Sequence, residues 1–437
     1  MKRLAKQFRG DGVKAQLLRG TGGSAVVQAA NILLALAAGV VLARTLGPES
    51  YGTYTFVLSI VTLLSLPAKA GLPTLLVREI AKNQVKRQWG LLRGILKFSN
   101  GLALGYATVV AAAGSGLVLS GVILGNSASA TSFAWGLWLL PLMALEATRT
   151  ASLRGLRWVV TAQLPEKIVR PALMIVLVGG AAITGTTLNP DTALQFQLVG
   201  AFVAFLVGAF VLVKALPRDV TNAIPEYAVR PWLASLAPLT FFVGLKLLDS
   251  QVAIIFLGFL STPEDVGLFK VAATGAGLVT FSLMAVNMAL APQLARLYNA
   301  GEKEKLQRVV TLSVRAVCAI SLPVALVLIV WGEPIVGFVF GNEYSGAADA
   351  LAILCIGQLI NTSAGSVGAV LSMTGNDQLV FIGALLALTV NTVLALVLIP
   401  AYGLTGAAVS FAVSISTWNI FLSIMAWSKL GINTYLK

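Results

Sequence analysis

Residues 40–82 read VVLARTLGPESYGTYTFVLSIVTLLSLPAKAGLPTLLVREIAK, and this stretch decides the fold. An apolar run ends at Arg44, the chain turns through Gly47-Pro48-Glu49-Ser50, and a second apolar run returns to Val77. Pro48 suits a first helical position, where a missing N–H has no bond to lose, and Glu49 suits the positive end of the new helix dipole. The stretch is therefore a helix hairpin with a very tight turn. Its second arm carries Pro67, Lys69, Gly71 and Pro73 in an otherwise apolar segment. Proline and glycine weaken the helical ladder and an ammonium in hydrocarbon is costly, so Lys69 is expected to face inward, toward a cavity.

The rest of the chain has the same character. Of 437 residues, 57% are hydrophobic and only 11% charged, where a soluble domain carries roughly 25% charged residues. At roughly 20 apolar residues per bilayer crossing, twelve spans are predicted: 23–46, 53–77, 95–119, 131–152, 163–184, 192–213, 232–260, 265–292, 309–331, 349–373, 378–399 and 405–427. The first follows a Lys/Arg-rich lead, outruns the core of a signal peptide and shows no cleavage site, so it reads as an uncleaved span.

Cytoplasmic loops of membrane proteins hold the excess of Lys and Arg. With the N-terminus inside, the cytoplasmic segments and span edges collect 27 of the 31 Lys and Arg residues and the outer loops none. Both termini are thus expected in the cytoplasm. The formal net charge of +14 reads as this topology signal plus attraction to anionic membrane lipids, not as a nucleic-acid footprint. The chain has no histidine, which excludes Ser-His catalysis and His-metal centres. Cys318 and Cys355 lie in apolar runs as ordinary small residues, without disulfide or metal spacing.

The pattern restarts near the midpoint. FLSTPEDVGLFKVA (259–272) echoes RTLGPESYGTYTFV (44–57): Pro48, Glu49 and Gly52 recur as Pro263, Glu264 and Gly267, each 215 residues on, and Leu91 and Arg93 recur as Leu306 and Arg308. Halves with six spans each share one orientation and are related by a pseudo-twofold along the membrane normal. The expected order is a basic amphipathic cytoplasmic N-terminus (1–22), an N-lobe (23–213), a cytoplasmic linker (214–231), a C-lobe (232–428) and a cytoplasmic tail (429–437). A substrate site is expected between the halves.

The charges left inside spans are Lys69, Lys246, Lys270 and Arg44 against Asp249 and Glu146, a net positive path. Each has a competing structural reading. Arg44, near the outer end, suits snorkelling, and Lys270 suits snorkelling or cavity lining equally. Lys246 and Asp249 are spaced for an ion pair, as are Glu146 and Arg149. Lys69, flanked by prolines deep in its span, fits a cavity best. Asp249 and Glu146 are the candidate titrating or coupling acids. Gln28, Asn31, Asn287, Gln358, Asn361 and Asn391 add polar side chains that suit either helix-to-helix hydrogen bonding or sugar hydroxyls. The run QLINTSAGS in span 10 is unusually polar, and the acidic outer loop after span 9 reads as a solvated face.

The LGPESYGTYTF turn, the following VREIAK, the TPEDVGLFKVA echo and the C-terminal LIPAYGLTGAAVSF together resemble the polysaccharide-repeat and O-antigen flippase family of the multidrug, oligosaccharidyl-lipid and polysaccharide exporter superfamily. The resemblance implies an all-α polytopic membrane protein, with twelve transmembrane helices in two pseudo-twofold-related six-helix lobes around a central cavity. It implies a flippase that moves a polyprenyl-pyrophosphate-linked oligosaccharide from the cytoplasmic to the outer leaflet of the inner membrane by alternating access. It further implies polysaccharide polymerase and glycosyltransferases as partners, and no catalytic residue, metal or cofactor beyond coupling to a proton or sodium gradient. A drug or metabolite antiporter of the superfamily calls for an acid-dominated cavity, and murein-precursor flippases usually add two C-terminal spans. Membrane glycan enzymes rely on large outer loops with catalytic acids, Arg or His; the outer loops here are short and lack Lys, Arg and His.

Overall fold

The structure, a computed structural model, describes residues 13–69, 71–122 and 129–435, and among these the regular elements are all helical. Residues 1–12 of the expected amphipathic N-terminus lie outside the described residues; the described part, from Val13, is helical. Eight helices of the described residues are long and apolar enough to cross a membrane. Helix Val13–Leu64 is interrupted at Gly47 (φ 74°, ψ 169°) and helix Asp377–Leu430 at Gly403 (φ 49°, ψ −124°). Dividing these two at their glycines, and adding helices Arg170–Ile183 and Val229–Leu260, places a helix at each of the twelve predicted spans. Both glycines take backbone angles that a side chain resists, which is how two antiparallel helices join with almost no loop.

Helix starts follow the local chemistry. Pro48, Pro190 and Pro263 each open a helix. Asn189 caps helix Pro190–Ala215 in a reciprocal box, its Oδ1 accepting from Thr192 N at 2.9 Å while Thr192 Oγ1 accepts from Asn189 N at 3.0 Å. Span 2 breaks at Ser65, just ahead of Pro67: one helix ends at Leu64 and the next begins at Leu66, with helix again over Gly71–Val85. The break frees the Leu64 carbonyl, because Ala68 N turns to Ser65 O at 3.1 Å. Tyr106 of span 3 donates its hydroxyl to that carbonyl at 2.9 Å. A neighbouring helix thus meets a backbone acceptor that lipid leaves bare.

Lipid tails are as apolar as leucine, so packing at close approach holds such helices together, and small residues mark the contacts. Helix Trp89–Leu119 buries Ser99, Ala103, Ala107, Ala111 and Ser115 at four-residue spacing. Helix Asp377–Leu430 repeats the device with Gly383, Ala387, Asn391 and Ala395.

Contacts divide the chain into two units: residues 1–45 with 60–244, and 46–59 with 245–437. In the first, Leu75, Leu76, Ile80, Leu92 and Ile95 form a core capped by Val220 and Trp232. The linker is strapped onto this core: Arg93 Nη1 donates to Ala223 O at 2.5 Å and Glu226 N to Gly90 O at 3.0 Å. In the second unit Leu294, Leu306, Val310, Leu371 and Leu422 form the corresponding core. There the segment after the last span is tied down alike, Gln307 exchanging two bonds with the Asn433 backbone at 2.7 and 2.8 Å.

The second unit also holds the turn of the first hairpin, residues 46–59. Gly52 abuts Pro263 O and Gly267 N, and Gly267 abuts Pro48 O and Gly52 N. The acids of the loop after span 9, Glu333, Glu343 and Asp349, are exposed as expected of a solvated face, but the loop also has a packed side. It forms helix Gly332–Phe340 and a 3₁₀ turn over Asn342–Ala347, with Tyr344 buried. The Tyr344 ring meets Tyr51 edge-on, centroids 6.4 Å apart, and Phe340 at the same distance. The apolar residues of this loop outweigh its three acids.

Candidate functional site

The first unit assembles a charged cluster from spans 2, 4 and 5, buried at Glu146 and Arg149, half-buried at Lys69, Lys167 and Arg170, and exposed at Glu166. Lys69 lies in helix Leu66–Lys69, one turn past the break at Ser65. Helix Leu139–Gly155 brings Glu146 and Arg149, both 3% exposed. Span 5 opens with Pro165 in a π-helical turn, Pro165–Val169, followed by helix Arg170–Ile183. That wider turn, a form frequent at functional sites, carries Glu166 and Lys167 beside Arg170.

Glu146 Oε2 pairs with Arg170 Nη1 at 3.3 Å. This corrects the expectation from helical spacing, which matched Glu146 with Arg149. Arg149 instead sends Nη1 to the carbonyls of Ala204 and Phe205 in span 6, at 2.9 and 3.2 Å. Its guanidinium fills the gap left by Gly208, where any side chain would overlap it. With its amide oxygen turned toward Arg170, Gln197 accepts from Arg170 Nε at 3.3 Å and Nη2 at 2.8 Å. The charges acting on Lys69 are those of Glu166, Arg170 and Glu146. Lys167 donates to Gln28 and, at 3.0 Å, to Gln163 Oε1; Gln163 Nε2 donates in turn to Ser24 Oγ at 3.0 Å. Lys69, Arg149, Lys167 and Arg170 against Glu146 and Glu166 leave the cluster positive by two. In a poorly solvated site such a surplus favours a polyanion, and guanidinium and ammonium groups bind phosphate oxygens strongly.

The second unit holds two amide networks. Asp249 Oδ1 accepts from Asn391 Nδ2 at 3.1 Å, and Ser414 Oγ, a polar neighbour of Asp249, donates to Ala387 O at 2.8 Å. In span 10, Asn361 Nδ2 donates to Gln358 Oε1 at 3.1 Å and Asn361 Oδ1 accepts from Asn419 Nδ2 at 3.0 Å. The polar run just beyond is where that span unwinds, between Ser363 and Val367, around Gly365 (φ 63°).

Arg44 is exposed, while Asn31, Lys270 and Asn287 are half-buried. The Lys246 side chain lies outside the described residues, and with it the expected pairing to Asp249. Sequence reasoning missed Arg170, Lys167, Gln163 and Asn419. The first two were counted as cytoplasmic charge because they stand at a span edge; the EKIVR spacing after Pro165, which gives span 5 two charged positions four apart, was the available signal.

The family profile described as "Polysaccharide biosynthesis protein" matches residues 17–298, more than half of the chain. The chain belongs to the polysaccharide biosynthesis protein family. This is a polysaccharide flippase family of the MOP superfamily, and a second superfamily profile, MatE, matches residues 238–397. The chain is 24% identical over 165 residues to the Haloferax volcanii protein named "Probable low-salt glycan biosynthesis flippase Agl15", covering 38% of this chain and 35% of that one. It is 25% identical over 177 residues to the Staphylococcus aureus capsular polysaccharide biosynthesis protein CapF, covering 40% and 45%. The matched part thus spans less than half the length of either relative. Among solved structures, an inward-facing MATE family multidrug transporter aligns with TM-score 0.75 at 17% identity, over 92% of this chain and 94% of that one. The lipid II flippase MurJ aligns with TM-score 0.73 at 13% identity, over 92% and 86%. At these identities the likeness is one of fold, and it makes this family member an all-α, multi-pass membrane protein of the superfamily type.

Proposed function

We propose that the protein is a flippase that carries a polyprenyl-pyrophosphate-linked oligosaccharide repeat unit from the cytoplasmic to the outer leaflet of the inner membrane by alternating access, both termini lying in the cytoplasm. The observation that carries this reading is the net positive cluster of Lys69, Arg149, Lys167 and Arg170, gathered round the buried Glu146 and Arg149, within a chain of the polysaccharide biosynthesis family. A pyrophosphate must leave water to cross the bilayer, and fixed cations replace its hydration. The hydrogen-bonded amides Gln358, Asn361 and Asn419 suit the glycan hydroxyls. Asp249, held by Asn391, is the proposed coupling acid for a proton or sodium gradient. Polysaccharide polymerase and glycosyltransferases are the proposed partners, since they would consume and supply such a cargo. The MatE match over residues 238–397 favours a second reading, cation-coupled drug export, but the surplus of positive charge repels the organic cations that such exporters carry. The test is to delete the gene and follow lipid-linked oligosaccharide. Accumulation on the cytoplasmic leaflet, reversed by the wild-type chain, is the expected result. An unchanged leaflet distribution rejects the proposal.

A further inference from the structure

Glu146 and Arg149 stand one helical turn apart, each 3% exposed, and each leaves polar atoms unmet. Glu146 gives Oε2 to Arg170, while Oε1 has no hydrogen-bond partner among the described residues. Arg149 commits Nη1 to the span 6 carbonyls, while Nε and Nη2 have no partner there. Each of the two charges lies in the field of the other. A buried polar atom left without a partner is costly and calls for an explanation. Here the unmet groups are complementary: Nε and Nη2 form the side-on fork of a guanidinium, which fits one carboxylate with two parallel bonds. Arg149 cannot move to seek another partner, since the Ala204 and Phe205 carbonyls and the Gly208 gap hold it.

We propose that Arg170 is a substrate-contact residue covered by Glu146 in the empty protein, and that the carboxylate moves onto the Nε/Nη2 fork of Arg149 when an anionic pyrophosphate takes Arg170. The inference rests on the reading of this cluster as the pyrophosphate site and adds its counter-ion switch. The carboxylate has a place on either side of the exchange: Arg170 without cargo, Arg149 with it. Net charge within the cluster is unchanged by the move, so cargo binding need not strand a buried carboxylate, which is costly in a site of this kind. Arg149 therefore acts through Glu146 and does not touch the substrate.

The experiment is a double-mutant cycle on purified full-length protein, with inorganic pyrophosphate as the probe and calorimetry as the readout. Glu146→Gln uncovers Arg170 and is expected to tighten binding, on the order of tenfold, an ordinary size for linked sites. Arg149→Gln removes the receiving fork and is expected to weaken binding by a similar factor; Arg149→Lys, which keeps the charge and the carbonyl contact, restores part of it. In the Glu146→Gln background the Arg149 change is expected to weaken binding much less, by no more than the loss of one charge that does not touch the cargo, because a neutral amide has no need of the fork. An equal weakening in both backgrounds would show a merely structural Arg149 and overturn the switch, as would failure of Glu146→Gln to tighten binding. If wild type binds and Arg170→Gln abolishes binding while the cycle is additive, the switch alone is lost. Absence of pyrophosphate binding in wild type and in Glu146→Gln alike removes the underlying reading and the switch together.

Discussion

Gly52 and Gly267, 215 positions apart in the repeated halves, meet face to face in the second unit: each presses the backbone of the other's turn, beside Pro263 O in one direction and Pro48 O in the other. The two halves of the repeat therefore touch at equivalent positions, and backbone cannot swing aside as a side chain does. Overpacking a close contact costs typically 1–3 kcal/mol. Gly52→Val and Gly267→Val are each expected to lower the thermal unfolding midpoint of the detergent-purified protein. Gly105→Val, where nothing lies within 4 Å, is the control and should leave the midpoint nearly unchanged. Equal midpoints for all three variants would contradict the contact.

Lys69 stands one turn past the break of span 2, with Glu166, Arg170 and Glu146 as its charged surroundings. Alanine there removes one of the cluster's cations and is expected to abolish glycan flipping while expression and size-exclusion behaviour stay normal. Arginine should rescue in part, keeping the charge and altering the reach. Lys246→Ala is expected to behave as Lys69→Ala does, which a complementation assay checks. Full complementation by both alanine variants would remove the cationic mechanism.

Asp249 is held by Asn391 at 3.1 Å. Asp249→Asn keeps the shape and a hydrogen bond but loses the carboxylate that an entering cation would neutralise. Flipping measured against imposed proton and sodium gradients should lose its response to one of them. A variant with wild-type activity and unaltered gradient response excludes Asp249 from coupling.

Tyr106 donates to the Leu64 carbonyl at 2.9 Å, at the point where the helix breaks. Tyr106→Phe leaves that acceptor bare inside the membrane and is expected to cost about 1–3 kcal/mol. The loss is read as a lower unfolding midpoint and as faster deuterium exchange of residues 60–69 than in wild type. Identical exchange would show that the bond contributes nothing there.

Orientation is checked with reporter fusions. Fusions after Asn189 and Asn342 should read outside, and those after Lys86, Thr221 and Glu304 inside, because cytoplasmic segments and span edges hold 27 of the 31 Lys and Arg residues. Reversal at any two of these sites rejects the topology.

Much of the fold was legible in the sequence because its causes are local. Crossing the bilayer needs a fixed length of apolar helix, charge sorts the loops, and Gly47-Pro48 or Pro67 to Pro73 act on the backbone where they stand. The repeat was legible as well, since Pro48, Glu49 and Gly52 keep their spacing in Pro263, Glu264 and Gly267. Partnership between helices was not. In a soluble helix the buried face shows as a stripe of apolar residues, but a membrane helix is apolar both toward lipid and toward protein, so periodicity does not say which side meets which neighbour. Spacing alone matched Glu146 with Arg149; packing gave Glu146 to Arg170, 24 residues on, and sent Arg149 to the span 6 carbonyls. Arg170 and Lys167, at a span edge, carried the same sequence signal as loop cations, and only the fold brought Arg170 to Glu146 of span 4 and Lys167 to Gln28 of span 1. Tyr344, in a loop that composition marked as acidic, was buried because Tyr51 and Phe340 stood ready to pack with it. Tertiary structure decided these matters because burial and pairing depend on which helix stands opposite, and that choice rests on close-packed small residues whose partners no local pattern names.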